Sequence, residues 1–460
     1  DIVASGLEEF PAIIKPENKE QYSMIFNISE QIGEISYEIY PDIAITYLKK
    51  AIRGAELAKD KEKIIKLTIN MVKACNSVGK YNEALNYIGK IISLTSSEAF
   101  NIASKNFKPK YYLLNYIKVQ VLYNIGKLKD CLDLINEVIP VFETIKNKDL
   151  LADNRTSKFI NEMINDLYLY KARCQLLIFD ADFDNTLKKL TEYNINNAQF
   201  ADLLDLGRNI CRGVDKQTSE KIATLSRMYE NSERQPELGL YANLFNIFAK
   251  IQQGRLQEAA NIAYSTKQIA SRISDIQIAC LMDLVIGLSY KMIGNHKKAL
   301  RIYNDVLAFA ADKSLQNVMF TCWYLLADLE FATGKGNNAL EIVNKSCMLL
   351  EPDNNYTKLF LIYFKILQAK LLKLNKNMSY AQNSAQQALL IAETHGLKYH
   401  KVLALMTLAE ITSALTKSTK DKAQITAYKA QLDALVEQMN KDIRELENSY
   451  ILGKVRVAIG

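Results

Sequence analysis

The sequence Gly334-Lys-Gly-Asn-Asn-Ala339-Leu decides the fold, because the same phrase recurs along the chain. Close copies begin at Gly79, Gly254 and Gly294, and a weaker copy begins at Gly126. Each copy joins two apolar segments of helical periodicity. The glycine can end one helix, and the small residue five positions later lets the next helix pack closely. The phrase therefore predicts a series of helix–turn–helix corners.

The residues at these predicted corners fall into three types. A glycine ends the first helix, an apolar or aromatic residue fills the corner, and a small residue opens the second helix. The corner residues assigned in this way are Gly79, Tyr81, Ala84, Gly126, Gly254, Ala259, Gly294, Ala299, Gly334 and Ala339.

The position of the small residue also defines the period of the repeat. It is occupied in turn by Ala44, Ala84, Cys131, Thr186, Ala223, Ala259, Ala299, Ala339 and Ala381. Most of the intervals are 36 to 42 residues, and two intervals of 47 and 55 residues predict insertions near Thr95–Pro109 and Lys146–Lys158. A regular period of this length is typical of a helical solenoid.

The composition excludes several other fold classes. The chain has only 17 glycines and 7 prolines in 460 residues, less than half of their average usage. All-β folds and nucleotide-binding folds with glycine-rich turns need more of both residues. A hydrophobic fraction of 49% is too high for a disordered chain. The net charge of +7 is a small excess over this length and gives no strong case for a nucleic-acid or anionic membrane partner.

These residues resemble the tetratricopeptide repeat family over about residues 22–417, most strongly over 240–415. In the best-matching unit, residues 320–351, Trp323 and Ala327 match the first helix of the family motif. Gly287 takes a corresponding position in the preceding unit. The resemblance implies antiparallel helix pairs stacked into a right-handed superhelix with a concave groove. The unit here is longer than the family's usual 34 residues or so and is similar to the form found in many bacterial regulators.

The sequence predicts five regions along the chain. They are an N-terminal arm (1–20), an N-terminal array with the two insertions (21–235), a C-terminal array (236–418), a capping helix (419–449) and a tail (450–460). The division at 235 follows the polar, proline-ending segment before Pro236. The last helix is polar with a narrow apolar seam, which suits a cap over the end of a repeat array.

No pattern of catalytic, cofactor-binding or metal-ligating residues is found in the sequence. The seven cysteines are widely spaced without a C-x-x-C pair, which favours reduced core residues. The three histidines have no metal-binding spacing, and neither a phosphate-binding loop nor a nucleophile elbow occurs. We therefore predict no cofactor, no metal site and no enzyme activity. No run of 18 apolar residues occurs, so no membrane span is predicted.

A stack of helix pairs offers a long surface for binding. The predicted function is a non-catalytic scaffold or adaptor that binds a partner peptide or helix in the groove, and nucleic acid is disfavoured. Because first helices line the groove in the family that the chain resembles, Asn70 and Asn115 are candidate groove residues. The alternative is a regulatory sensor module of a larger signalling protein, such as an ATPase, a cyclase, a kinase or a transcription activator. We expect a cytoplasmic protein, with a removed signal peptide as the alternative, and the oligomeric state is left open.

Overall fold

The structure is a computed structural model that describes residues 19–37, 39–94, 112–147, 154–193, 195–229, 235–273, 275–351, 356–446, 450–451 and 453–455. Within these ranges the regular structure is α-helical and no strand occurs, so the predicted all-α class is confirmed. The predicted arm lies outside the described residues up to residue 18. Most of both predicted insertions, residues 95–111 and 148–153, also lies outside them.

Twenty helices make up the described part of the chain. In order they are α1 Lys19–Ser36, α2 Pro41–Leu57, α3 Lys61–Ser77, α4 Tyr81–Leu94, α5 Tyr112–Ile125, α6 Leu128–Asn147, α7 Asn154–Ile178, α8 Phe183–Tyr193, α9 Ile195–Arg212, α10 Lys216–Tyr229, α11 Pro236–Gln252, α12 Leu256–Arg272, α13 Ile276–Met292, α14 His296–Asp312, α15 Gln316–Ala332, α16 Gly336–Leu350, α17 Lys358–Leu374, α18 Met378–Thr394, α19 Lys398–Ser418 and α20 Lys422–Leu446.

The helices pack in chain order. From α1 to α6 and from α8 to α20, each helix contacts the next one along the chain. Odd-numbered helices also contact one another, as α13 does with α15 and α15 with α17. The odd-numbered helices are called first helices below, and the even-numbered helices are called second helices.

The chain divides into two compact units, residues 1–170 and 171–460. The predicted division between two arrays at 235 falls inside the second unit, where α10 packs on α11. That division stays a prediction about the repeats.

The fourth residue of most second helices is a small, buried side chain. Its positions are Ala44, Ala84, Cys131, Thr186, Ser219, Ala259, Ala299, Ala339 and Ala381, which are all between 0% and 8% exposed. A small side chain at this point lets the second helix approach the first one closely, and the pair then buries a common core. The sequence analysis was wrong at one of these positions. Ser219, and not Ala223, lies at the fourth position of α10, and Ala223 is half-buried one turn later.

The corners that follow first helices α3, α5, α7, α11, α13, α15 and α17 are closed by the same backbone hydrogen bond. At the corner after α15, Gly334 has φ of +82°, and the Lys335 amide donates to the Glu330 carbonyl at 2.9 Å. The donor is the residue after the left-handed residue, and the acceptor lies in the last turn of the helix. This arrangement is a Schellman motif. The amide of Lys80 makes the equivalent bond to Cys75 at 2.8 Å.

Residues other than glycine adopt the left-handed conformation at further corners. Lys59 and Ser314, which follow second helices, have φ of +57° and +58°. The backbone bond is the same there, since the Leu315 amide donates to the Ala310 carbonyl at 2.8 Å. The turn geometry is therefore shared by corners with and without glycine.

The C-terminal helix α20 packs along α19. Its seam residues Leu432, Leu435 and Met439 join a core cluster that contains Leu405 of α19. Ile451 and Val455, which follow α20, are also buried in this cluster. The role of α20 as a cap stays a prediction.

We expect that Ala339→Glu destabilises the fold by several kcal/mol, because the carboxylate would be placed in the core between α15, α16 and α17 without a partner. The measurement is the free energy of unfolding from urea titration. Asn338→Glu, on the exposed neighbouring position of α16, is the matched control and should change it little. Equal stabilities for the two variants would contradict the placement of Ala339.

We expect that Gly334→Ala lowers the free energy of unfolding by about 1–2 kcal/mol, because alanine is strained at positive φ. The surroundings do not add to this cost, since a Cβ there would meet no atom within 4 Å. Gly336→Ala is the control within the same corner. Its Cβ would make only an ordinary contact at 3.8 Å to Leu371, so this variant should match or exceed the wild type in stability. A loss as large for Gly336→Ala as for Gly334→Ala would contradict the assignment.

Candidate interaction surfaces

The structure places the assigned corner residues at helix ends and helix contacts. Gly79, Gly126, Gly254, Gly294 and Gly334 follow first helices with φ of +73° to +85°. Tyr81, Ala84, Ala259, Ala299, Ala327 and Ala339 are buried. A Cβ on Gly287 would lie 2.6 Å from Cε1 of the buried Tyr303, so α13 and α14 approach closely there. Trp323 is half-buried and packs edge-on against Phe320 at 5.3 Å between ring centroids. These residues shape the scaffold, and none of them lies in a polar site.

One stripe of α3 carries polar side chains that face α1. Lys63, Lys66, Asn70 and Lys73 recur at three- and four-residue steps and so share one side of the helix. Lys63 pairs with Glu30 at 2.5 Å and Lys66 pairs with Glu34 at 2.6 Å. Both glutamates lie on α1. These contacts place the stripe at the junction of two first helices.

The next first helices continue this pattern within the first unit. The Asn76 amide of α3 donates to Gln120 Oε1 of α5 at 3.2 Å. The Tyr116 hydroxyl of α5 donates to Asp166 Oδ2 of α7 at 2.7 Å. Burial and the neighbouring Asp166 raise the pKa of Tyr116, so its hydroxyl stays protonated. We call the polar stripes of α3 and α5, from Lys63 to Tyr123, the first-helix row.

Asn70 and Asn115, the two candidate groove residues, lie on first helices α3 and α5. Both are half-buried. Neither amide makes a hydrogen bond or ion pair with the described residues. Within the described part of the chain, the neighbouring charged and amide side chains of this stripe contact the next helix, whereas these two amides do not. Their role in binding stays a prediction.

The second unit has an aromatic contact series across its first helices. Tyr324 of α15 lies 5.2 Å from Tyr363 of α17 between ring centroids, and Tyr363 lies 5.1 Å from His400 of α19. His400 Nε2 and the Tyr363 hydroxyl share a hydrogen bond of 3.0 Å. His400 is only 2% exposed, and burial lowers its pKa from 6.5 to about 3. The imidazole is therefore neutral at physiological pH. The sequence analysis missed this series because its partners lie on separate repeats.

Ion pairs also connect the first helices of the second unit. Lys291 of α13 pairs with Asp328 of α15. Lys373 of α17 pairs with Glu410 of α19 at 2.6 Å. Burial lowers the pKa of the nearby Lys370. The polar side of these helices is therefore largely engaged between neighbouring repeats.

The segment after α20 lies against this part of the second unit. The Tyr450 ring contacts Gly254, since a Cβ on that glycine would lie 2.5 Å from the ring. Ile451 is fully buried beside α19 and α20. The C-terminal segment therefore contacts both the α11–α12 corner and the last helix pair.

The described residues contain no group of three or more His, Cys, Asp or Glu side chains that could hold a metal ion. In the same part of the chain, no helix is both long and apolar enough to cross a bilayer. The seven cysteines are free thiols, and six of them are buried. Burial raises the pKa of Cys75, Cys280 and Cys322 to about 12, so these thiols are protonated and poorly nucleophilic.

Residues 14–117 match the family model described as the SusR N-terminal TPR domain. The resemblance to the tetratricopeptide repeat family is confirmed. The matched segment lies in the first unit and covers less than half of the chain. The sequence resemblance, by contrast, is strongest over residues 240–415.

Two solved structures are similar to the chain at low identity. A Rap protein complexed with competence and sporulation factor is 12% identical, with a TM-score of 0.40, over 92% of this chain and 100% of that chain. The APC/C hetero-tetramer Cut9–Hcn1 is 14% identical, with a TM-score of 0.37, over 96% of this chain and 94% of that chain. At these scores neither structure superposes closely on the chain. No curated protein matches it.

The buried, neutral His400 predicts a pH-dependent stability. Its folded pKa of about 3 is below the ordinary value of 6.5. Between these values the unfolded chain binds a proton that the folded chain does not, so His400 lowers stability as the pH falls. Between about pH 7.5 and pH 4.5, we expect the free energy of unfolding of the wild type to fall by about 2–3 kcal/mol more than that of His400→Phe, which lacks this titrating group.

The measurement is urea unfolding of both proteins at the two pH values. His296→Phe is the matched control, since His296 lies at the start of α14 outside the aromatic series. An unchanged difference between wild type and His400→Phe across this range would contradict the burial of a neutral imidazole.

Proposed function

We propose that the protein is a non-catalytic interaction scaffold or adaptor that holds a partner peptide or helix along the first-helix row. The observation that supports the proposal is that Asn70 and Asn115, on neighbouring first helices, have amides without a hydrogen bond to any residue that the structure describes. Helices α3 and α5 are in direct contact. The two amides therefore lie on helices that pack against each other.

The chemistry of the row suits a polypeptide. An asparagine amide can donate to a peptide carbonyl and accept from a peptide N–H at the same time. The charged neighbours Lys63 and Lys66 are paired with glutamates of α1, so they offer little net charge to an acidic or basic partner. Binding would then depend on hydrogen bonds and on the aromatic rings of Tyr116 and Tyr123, which lose little side-chain entropy on contact.

The proposal includes no catalytic step. In the described part of the chain, polar groups mostly form pairwise contacts between neighbouring helices and do not converge on a single reacting atom. Catalysis would need an activated nucleophile or base positioned against a substrate. We also propose a cytoplasmic location, because buried free thiols suit a reducing compartment.

A second candidate function is a regulatory sensor module of a larger signalling protein. A separate observation favours it: the second unit contains a cavity of about 970 Å³ with charged walls. A sensor needs a ligand site of this kind, whereas a scaffold does not. A scaffold would bind its partner through the first-helix row, whereas a sensor would bind its ligand in the cavity. Substitutions in the first-helix row therefore separate the two functions.

The experiment is affinity capture of partners with the intact chain, identified by mass spectrometry. We expect a protein retained by the wild type to lose at least about tenfold in affinity for Asn70→Ala/Asn115→Ala, because two hydrogen bonds to the partner are removed. Asn337→Ala/Asn338→Ala, two exposed amides of α16, is the matched control and should bind as the wild type does. Equal binding by the Asn70/Asn115 variant would overturn the proposed surface.

A further inference from the structure

The segment that follows α20, residues 450–455, is called the closing segment. Its described residues, 450–451 and 453–455, are helical. Ile451 and Val455 are four positions apart and so lie on one side of this turn, and they are 0% and 2% exposed. Tyr450 and Lys454 have the same spacing, and the Lys454 ammonium lies 4.6 Å from the centroid of the Tyr450 ring. The closing segment therefore has one buried apolar side and another side with an aromatic–cation pair.

The apolar side of the closing segment packs on the last helix pair. Ile451 and Val455 belong to a buried cluster whose other members come from α19 and α20. The apolar seat is defined by six of these members, Val402, Leu405 and Met406 of α19 and Met439, Ile443 and Leu446 of α20. The closing segment therefore covers an apolar surface that the two helices form together, although it belongs to neither helix.

The aromatic side of the closing segment contacts repeats that are distant in sequence. The Tyr450 ring lies against the corner after α11, where a Cβ on Gly254 would be 2.5 Å from Cδ2 of the ring. Burial lowers the pKa of Lys370 of α17, and the nearby Lys454 ammonium lowers it further. The closing segment therefore lies against α11 and α17 as well as the last helix pair.

The closing segment has little structure of its own to hold it in place. An isolated helical turn is unstable in water, because forming it orders several residues for one hydrogen bond. Only residues 447–449 join the segment to the end of α20. Ile451 and Val455 are buried, whereas Gly453 and Lys454 are exposed. The segment therefore depends on few apolar contacts, and such regions open first in a folded protein.

We propose that the apolar seat is a docking surface for an amphipathic helical segment of a partner protein, and that the closing segment occupies it within the same chain. Helices dock on apolar surfaces through anchors three or four residues apart, which is the spacing of Ile451 and Val455. The partner segment presents an aromatic residue, an adjacent aliphatic residue and a second aliphatic residue four positions later. The seat belongs to the second unit and shares no residue with the first-helix row, so it goes beyond the proposed function.

The covalent connection to α20 controls access to the apolar seat. A segment on a short linker has an effective concentration in the millimolar range. A free copy of the segment at about 1 µM therefore competes at a disadvantage of about a thousandfold. The seat is open only to a partner that makes more contacts than the closing segment does, or after the closing segment has been released.

The test uses the full chain, with a fluorescein-labelled synthetic peptide of residues 448–457 as the probe and fluorescence anisotropy as the measurement. The variant Ile451→Asp places a carboxylate against the apolar seat, which disfavours the seated position and releases the closing segment. We expect the probe to bind this variant saturably and at least about tenfold more tightly than it binds the wild type, whose seat is occupied. A probe that itself carries Ile451→Asp should bind neither protein.

Gly453→Asp is the matched control on the same segment. Gly453 is exposed and a Cβ there would meet no atom within 4 Å, so this variant should bind the probe as weakly as the wild type does. Asn70→Ala/Asn115→Ala should also match the wild type, which separates this proposal from the proposed function. The proposal is overturned if Ile451→Asp unfolds cooperatively on heating but does not bind the probe, or if the wild type binds the probe as tightly as Ile451→Asp does.

Hydrogen exchange of the wild type tests the proposal without a substitution. Amides of the closing segment should exchange more slowly than those of the free probe, because the segment is seated, and at least about tenfold faster than buried amides of α19, because it opens by itself. Exchange as fast as in the free probe, or as slow as in α19, would overturn the proposal even if Ile451→Asp does not fold. A wild-type dimer in light scattering that Ile451→Asp abolishes would identify a second copy as the occupant, and would also overturn it.

Discussion

The whole architecture depends on how closely a second helix can approach the first helix of its own pair. Two local features set this approach. A residue of positive φ directs the chain back on itself, and a small side chain at the fourth position of the second helix keeps the helix axes close. Ala299 and Ala339 at this position are 0% exposed, so a larger side chain there would have to displace its neighbours in the core. Each pair then presents an apolar face that only the next pair can cover, so the stack extends along the chain.

This constraint explains which parts of the fold could be predicted. The corner phrase is local, so its glycine and small residue are visible in the sequence at a spacing of five residues. Corners such as Lys59 and Ser314 have the same backbone conformation without glycine. A strain of about 1–2 kcal/mol at such a residue can be offset by the packing of the helices on either side. The glycine that marks other corners in the sequence is therefore absent at these two. In α10 the sequence analysis assigned Ala223 to the fourth position, which Ser219 occupies one turn earlier.

The candidate surfaces were less accessible to sequence reasoning. Asn70 and Asn115 could be placed on first helices because the repeat period alone assigns them. The pairs Tyr116–Asp166 and Tyr363–His400 could not, since each joins residues 37 to 50 positions apart on different repeats. Such contacts depend on the small rotation between successive pairs, which a residue pattern does not specify. The cavity of the second unit could not be predicted for the same reason, because that rotation accumulates over many repeats.

The closure of the second unit changes how its stability is distributed. In an open stack each pair interacts only with its neighbours, and an end pair can detach at the cost of one interface. Contact of α9 with α19, and of Tyr450 with the corner at Gly254, adds interfaces between distant repeats. Opening one of these contacts leaves buried groups such as Ile451 without part of their packing. The second unit therefore gains cooperativity that the repeat pattern alone would not provide.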